Sequence, residues 1–278
     1  MTTEVYTTLL KKCLSTEEYN WLQTAIAEVV ATQNKQKLYI AYSLCATKIH
    51  AETVKEYDIF PGDKASWLSS QEINFLELSR IVLLRSILEA EPKMEGAVQK
   101  LIQVADITEL ETFLKFLVLL PKPENYKFVA VEALRTNIAT VFNAISQNNP
   151  YPSAYFTSAE YNQMYLKSAF MQQDLTKIIG VDEMANADLA RIISDYAHER
   201  WAASRTIDPA FWRPVSNFLD GTLIDDIERL FKSKDAKERR AATLVCYHSK
   251  KKAAQQLLQI NIEYLEEAKN GTLTWQNL

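Results

Sequence analysis

The stretch Ala185-Asn-Ala-Asp-Leu-Ala-Arg-Ile-Ile-Ser-Asp-Tyr-Ala-His-Glu-Arg-Trp-Ala-Ala-Ser-Arg205 reads as a single helix, and its pattern decides the fold. At about 100° per residue, Leu189, Ile192, Ile193, Tyr196 and Ala203 fall on one stripe that should face a core. The same three- and four-residue spacing recurs along nearly the whole chain. Glycine is scarce, at 5 of 278 residues, where average usage is about 7%. Folds built from strands and tight turns spend glycine at their turns, so the chain is expected to be all-α.

Outward from this block, Ser15-Thr-Glu-Glu18 has the form of a capping box and opens a helix to about Thr32. A second helix is expected over about 34–50, and a loop over 57–66 around Pro61 and Gly62. Ser69-Ser-Gln-Glu72 is expected to cap a helix running to Ala90, before Pro92. Helices follow at about 94–105 and 108–120, with a longer one at 126–146 after Pro121 and Pro123. Asn148-Asn-Pro-Tyr-Pro152 is the best candidate for a linker or sharp turn. Beyond it the pattern gives helices at about 158–179, 185–204, 209–219 and 223–231, and a final pair within 236–270. Asp235–His248 has the pattern of a HEAT-repeat helix, and Leu110–Ile145 resembles an earlier hairpin of that kind. The expected architecture is an irregular α-solenoid of helical hairpins, partly HEAT-like.

Composition narrows the function. The formal charge of −4 gives no reason to expect nucleic acid as a partner. There is no GxGxxG and no GxxxxGK[ST], so Gly-rich phosphate loops are not expected. The segment Met1-Thr-Thr-Glu-Val-Tyr has neither the basic nor the apolar region of a signal peptide. The longest apolar run, Phe116-Leu-Val-Leu-Leu120, is far short of the ~20 residues of a membrane span. Cys13, Cys45 and Cys246 read as thiols buried in a reducing compartment. A cytoplasmic protein without a transmembrane segment is expected. Lys232, Lys234, Lys237, Arg239, Arg240 and Lys250-Lys-Lys252 form a basic stretch, diluted by Glu228, Asp235 and Glu238. It reads as a solvated face or, more sharply, as a weak peripheral contact with an anionic membrane surface.

The polar residues of the helices carry whatever specificity there is. Arg200 projects into the middle of the apolar stripe, while Arg191, Asp195 and His198 share the opposite side. On the preceding helix, Gln163 and Lys167 project between Met164, Leu166, Phe170 and Met171. Burying a lone cation is costly, so Arg200 and Lys167 must reach water, line a wet cavity, or pair with an acid such as Asp182, Glu199 or Glu160. Two readings stay open: a pocket for an anionic or hydroxylated ligand, and an ion-pair network that fixes helix crossings. Trp201 and Trp212 line the pocket in the first reading and pack the core in the second. Asp195-x-x-His198 has the spacing of half a di-metal helical site, but no second Glu/Asp-x-x-His occurs, so no metal and no cofactor are expected. His198 and Asp195 are the candidates for a proton-transfer couple, against a plain surface hydrogen bond.

Asn149-Pro-Tyr-Pro152, Tyr161-Asn-Gln-Met164, Gly180-Val-Asp182, Ala185-Asn186, Asp195-Tyr-Ala-His-Glu-Arg-Trp-Ala202 and Pro209-Ala-Phe-Trp-Arg213 together resemble the EboA family. Glu132-Ala-Leu-Arg-Thr-Asn137 and, more loosely, Asp235–Leu244 extend the likeness. It is strong over about 110–258 and poor in the N-terminal third. One departure is Ser204, where the family more often has Gly before the arginine. The resemblance implies a helical component of a bacterial gene cluster that processes and exports a secondary-metabolite precursor, with no established catalytic residues. The family's recurring residues fall here on Arg135, Asn137, Asn162, Gln163, Lys167, Asp182, Asn186, Asp195, His198, Glu199, Arg200, Trp201 and Trp212. The expectation is a non-catalytic binding or adaptor protein, cytoplasmic, with a placement peripheral to the inner membrane as the alternative. Its N-terminal helical region would be 1–60 and its EboA-like domain 61–278, or the two form one continuous domain. Its partners would be a small-molecule precursor or other proteins of the cluster. Asn162, Gln163, Lys167, Glu199, Arg200, Trp201 and Trp212 are the expected ligand contacts. The alternatives are an enzyme acting on a phosphorylated or prenylated intermediate, and a solenoid scaffold that binds protein.

Overall fold

The computed structural model describes residues 3–55 and 63–278, without the side chains of residues 63–66. The fold is all-helical, 74% helix, with no strand among the described residues. An isolated antiparallel bridge joins Thr53 and Asn74. The chain divides into two compact units, Met1–Tyr151 and Pro152–Leu278, and the division falls inside the Pro-rich segment 148–152. The 60/61 boundary expected from the sequence lies outside the described residues.

The first unit contains α1 (Thr3–Cys13), α2 (Thr16–Thr32), α3 (Lys35–Lys48), α4 (Asp63–Ser70), α5 (Phe75–Ala90), α6 (Glu95–Val104), α7 (Ile107–Phe116), α8 (Lys127–Ala133) and α9 (Ala139–Ser146). Helix α5 is its centre: α1, α2, α3 and α7 all pack on it. Its buried residues include Leu78, Ile81, Val82, Leu83, Leu84 and Ile87. The Ser15/Glu18 capping box opens α2 as expected. For α5 the cap lies further along than the sequence suggested. Asn74 and Glu77 form the box, and Ser69–Glu72 instead close α4, with Glu72 turned to φ 50°. An Asn immediately before the apolar run starting at Phe75 caps more directly than serines five residues upstream.

Two further expectations are corrected. The helix expected over 126–146 is two helices, because α8 ends in three-residue turns at Leu134 and Arg135 and the Thr136 hydroxyl accepts from Ile138 N at 3.1 Å. A β-branched residue that bonds its own backbone competes with the helix at that point. The loop expected over 57–66 falls outside the described residues as far as 62, and 63–66 belong to α4.

The short α10 (Tyr151–Tyr155) spans the division. The second unit holds α11 (Ser158–Phe170), α12 (Val181–Met184), α13 (Ala187–Ala202), α14 (Gly221–Phe231), α15 (Ala236–His248), α16 (Lys252–Ile260) and α17 (Leu265–Lys269). A 3₁₀ segment, Pro209–Val215, packs against both α13 and α15. The final pair expected from the sequence is therefore three helices, broken where Asn261 and Ile262 follow α16. Cys45 and Cys246 are buried and Cys13 is half-buried. Burial pushes the Cys45 and Cys246 thiols up to about 12, which leaves them unreactive. No helix among the described residues is long and apolar enough to cross a membrane.

Candidate functional site

The site is built around α13. Asn186 caps its N-terminus by accepting from Leu189 N at 2.9 Å. The same side chain forms a reciprocal amide pair with the buried Asn162 of α11, at 3.1 and 2.9 Å. Asn162 is thus engaged within the protein, and it fixes where α13 starts against α11.

The face of α13 turned to the core is Leu189, Ala190, Ile193, Ser194 and Ala197. Arg200 lies at the edge of this face and not in its middle as the projection suggested; it is half-buried, and Ala203 is exposed. The end of the helix explains its position. Ser204 adopts φ 55°, and Arg205 N donates back to Arg200 O at 2.9 Å, which reverses the chain. The reversal brings Thr206 under the guanidinium, whose Nε and Nη2 donate to Thr206 O at 3.1 and 2.8 Å. The guanidinium also lies 6.0 Å from the Tyr196 ring centre. A cavity of about 200 Å³ opens there, lined by Arg200, Tyr196, Thr206, Ile207 and Asp208 from this side and by Ala169, Gln172 and Gln173 after α11.

His198 goes elsewhere. Its Nε2 donates to Asp226 Oδ1 of α14 at 2.6 Å, and the Ser194 hydroxyl donates to Asp226 Oδ2 at 2.6 Å. Asp226 is buried, while His198 is about half exposed. Trp201 lies between the exposed Arg229, whose guanidinium is 4.1 Å from its ring centre, and the fully buried Trp212, stacked at 5.7 Å. His198, Trp201, Ala202, Asp225, Asp226 and Arg229 line a second cavity of about 460 Å³.

The remaining expected residues separate. Arg191 and Asp195 form an exposed pair at 3.0 Å, away from His198's carboxylate partner. Glu199 is exposed. The apolar side assigned to α11 is corrected: its buried residues are Tyr161, Asn162, Met164, Tyr165 and Ser168, while Phe170 is exposed. The two tyrosines turn inward because their hydroxyls find carbonyls, Tyr161 at Ile179 (2.9 Å) and Tyr165 at Ala210 (3.2 Å). Gln163 therefore faces solvent and Lys167 is half-buried, where desolvation holds its amine below the ordinary lysine range. Of the acids considered for the cations, Asp182 is taken by Arg213 in a two-pronged pair at 3.0 and 2.6 Å, and Glu160 caps α11. Gly180, just before α12, sits at φ 78° with Ser153 against it; a Cβ there would meet Ser153 Cβ at 2.3 Å.

Asp226, Arg229, Arg213 and Thr206 were missed by sequence reasoning. One signal was available for Asp226. It sits among Leu223, Ile227 and Leu230 at helical spacing, a carboxylate on the apolar stripe of a strongly amphipathic helix. Thr206 carried no signal, because it contributes a backbone carbonyl.

No curated protein and no solved structure matches the chain. A family model described as metabolite traffic protein EboA matches residues 2–216, which include α11, α13 and the 3₁₀ segment with Trp212 but end before Asp226 and Arg229. With well over half of its 278 residues matched, and with the motifs around Asn162, Asn186 and Arg200 inside that span, the chain belongs to the EboA family.

Proposed function

We propose that this protein is a binding component of a metabolite traffic route, and that it holds a small precursor in the cavity between the end of α11 and the end of α13. The observation that carries this reading is the Arg200 guanidinium. Two of its five N–H groups are fixed on Thr206 O, and the rest of the group lies on the wall of a 200 Å³ cavity. A guanidinium oriented in this way is set to receive a carboxylate or hydroxyl oxygen without first losing side-chain freedom. Tyr196, Gln172 and Gln173 add hydroxyl and amide groups, and Asp208 adds an acceptor. The volume is below the usual 300–1,000 Å³ of drug-sized sites. The cargo, or the part of it that is held, is therefore small: a hydroxy acid or a polyol-like group.

The finer role we assign to this cargo is the processing and export of a secondary-metabolite precursor, and the family's description supports the coarser part of it, metabolite traffic. In the second unit, α13 packs on α14, α14 on α15 and α15 on α16, a neighbour-to-neighbour order that supports reading it as an irregular, partly HEAT-like solenoid. Thermal unfolding in the presence of small hydroxy acids and polyols tests the binding role. Ligand at about 100 times its dissociation constant stabilises by about 2.7 kcal/mol, a rise of several degrees in Tm. Arg200→Met should abolish the rise, whereas an equal rise in this variant removes the Arg200 cavity as the site.

A further inference from the structure

We propose that the second cavity, between α13 and α14, is a proton-transfer site in which His198 is the base and Arg229 holds the oxyanion that forms. This goes beyond binding at Arg200 and does not depend on it.

The inference starts from Asp226. It is buried, yet both of its carboxylate oxygens are satisfied at 2.6 Å, one by the Ser194 hydroxyl and one by His198 Nε2. A buried carboxylate that accepts from Nε2 keeps the ring proton on that nitrogen. The lone pair is then on Nδ1, the nitrogen left over on a half-exposed ring that lines the cavity. The order of contacts is Ser–Asp–His, so the serine hydroxyl points to the carboxylate and not to the imidazole. Ser194 is accordingly no nucleophile; it and Asp226 are positioning residues, and His198 is the catalytic residue.

Arg229 supplies the second half. Its guanidinium is placed over Trp201, and the His198 ring packs against the same indole at 5.6 Å. The base and the cation thus touch one indole, and both line the same 460 Å³ space. Asp225 also lines this space and is exposed, so with His198 neutral the site carries one cation, Arg229, and two carboxylates, Asp225 and Asp226. This excess of negative charge disfavours a polyanion and suits a neutral hydroxy-carbonyl compound.

The step needs no second reactant. Nδ1 takes the proton from the carbon next to the substrate carbonyl. The C–H electron pair becomes the C=C bond of an enolate, and the carbonyl oxygen takes the negative charge, facing Arg229. The imidazolium, stabilised by Asp226, then returns the proton to the former carbonyl carbon, while the hydroxyl proton of the first carbon passes to the enolate oxygen. The carbonyl and hydroxyl groups have then exchanged carbons, an isomerisation with no net gain or loss of atoms or electrons.

Deuterium exchange reads this step directly. The protein is incubated in D₂O with an aqueous small-molecule extract of its source cells, and deuterium entering carbon-bound positions is followed by mass spectrometry. At least one compound should gain a single carbon-bound deuterium with the wild type. The rate should fall by about 10²–10⁴-fold in His198→Gln and at least tenfold in Asp226→Asn, while the exposed Arg191→Gln leaves it unchanged. Nitrogen-15 shifts of the His198 ring keep the Asp226 role separable from folding: Asp226→Asn should lose the preference for a proton on Nε2, and Asp226→Glu should restore it. No wild-type exchange, or equal exchange in His198→Gln, overturns the proposal.

Discussion

Asn162 and Asn186 bond each other through both amides, at 3.1 and 2.9 Å, and this pair ties α11 to the first turn of α13. The two residues are not equivalent, because Asn186 also caps α13 through Leu189 N and donates to Met184 O at 3.0 Å. Asn186→Ala should cost the cap, about 1 kcal/mol, and leave the buried Asn162 amide unpaired, a further 1–3 kcal/mol or so. Asn162→Ala removes only the pair and should cost about 1–2 kcal/mol. Urea unfolding of the two variants checks the ranking; equal losses would mean that the cap contributes nothing.

Ser204 holds the left-handed conformation that ends α13, at φ 55°. A side chain in that region costs roughly 1–2 kcal/mol relative to glycine, part of which is offset by glycine's greater freedom in the unfolded chain. Ser204→Gly should therefore stabilise the protein by about 0.5–1 kcal/mol. A loss of stability on urea unfolding would show that the serine side chain contributes something its backbone geometry does not reveal.

The Glu18 carboxyl of α2 should make the protein acid-sensitive. Burial alone would raise its pKa, but hydrogen bonds from the His50 ring and backbone N–H and from Ser15 outweigh it and pull the value down to about 2. A carboxyl depressed in the folded state stabilises fully above its unfolded value, near 4.3, and loses that contribution as pH falls toward 2. The contribution is on the order of 2 kcal/mol once solvent screening at a half-buried group is allowed for. Glu18→Gln should be less stable than the wild type at pH 6 by about that amount, with the gap closing toward pH 2.5. A gap of constant size across this range would rule out the linkage.

Much of the fold is legible in local chemistry. The Ser15/Glu18 box, the Pro-rich break at 148–152 and the helical period of 187–202 all follow from residues within one or two turns of each other. What was not legible depends on distant groups. On projection Arg200 interrupts a core stripe, but a long side chain at a helix end can leave that stripe, and Ser204 turns the chain so that Thr206 O receives it. The apolar face of α11 was misplaced because tyrosine counts as polar at its tip; Tyr161 and Tyr165 are buried once Ile179 and Ala210 offer carbonyls. Of the expected contacts, Arg200 lines one cavity and Trp201 the other, Asn162 is paired internally, and Gln163 and Glu199 face solvent. His198 found its carboxylate 28 positions away at Asp226 and not three positions away at Asp195.

The central claim is that a small metabolite occupies the cavity at Arg200. Native mass spectrometry of the protein purified under mild conditions tests it most directly, with the wild type, Arg200→Met and the surface variant Arg191→Gln measured side by side. The account predicts a bound small molecule in the wild type and in Arg191→Gln, lost from Arg200→Met while the variant keeps its helical content. The same molecule at the same occupancy in Arg200→Met, or none in the wild type, contradicts it.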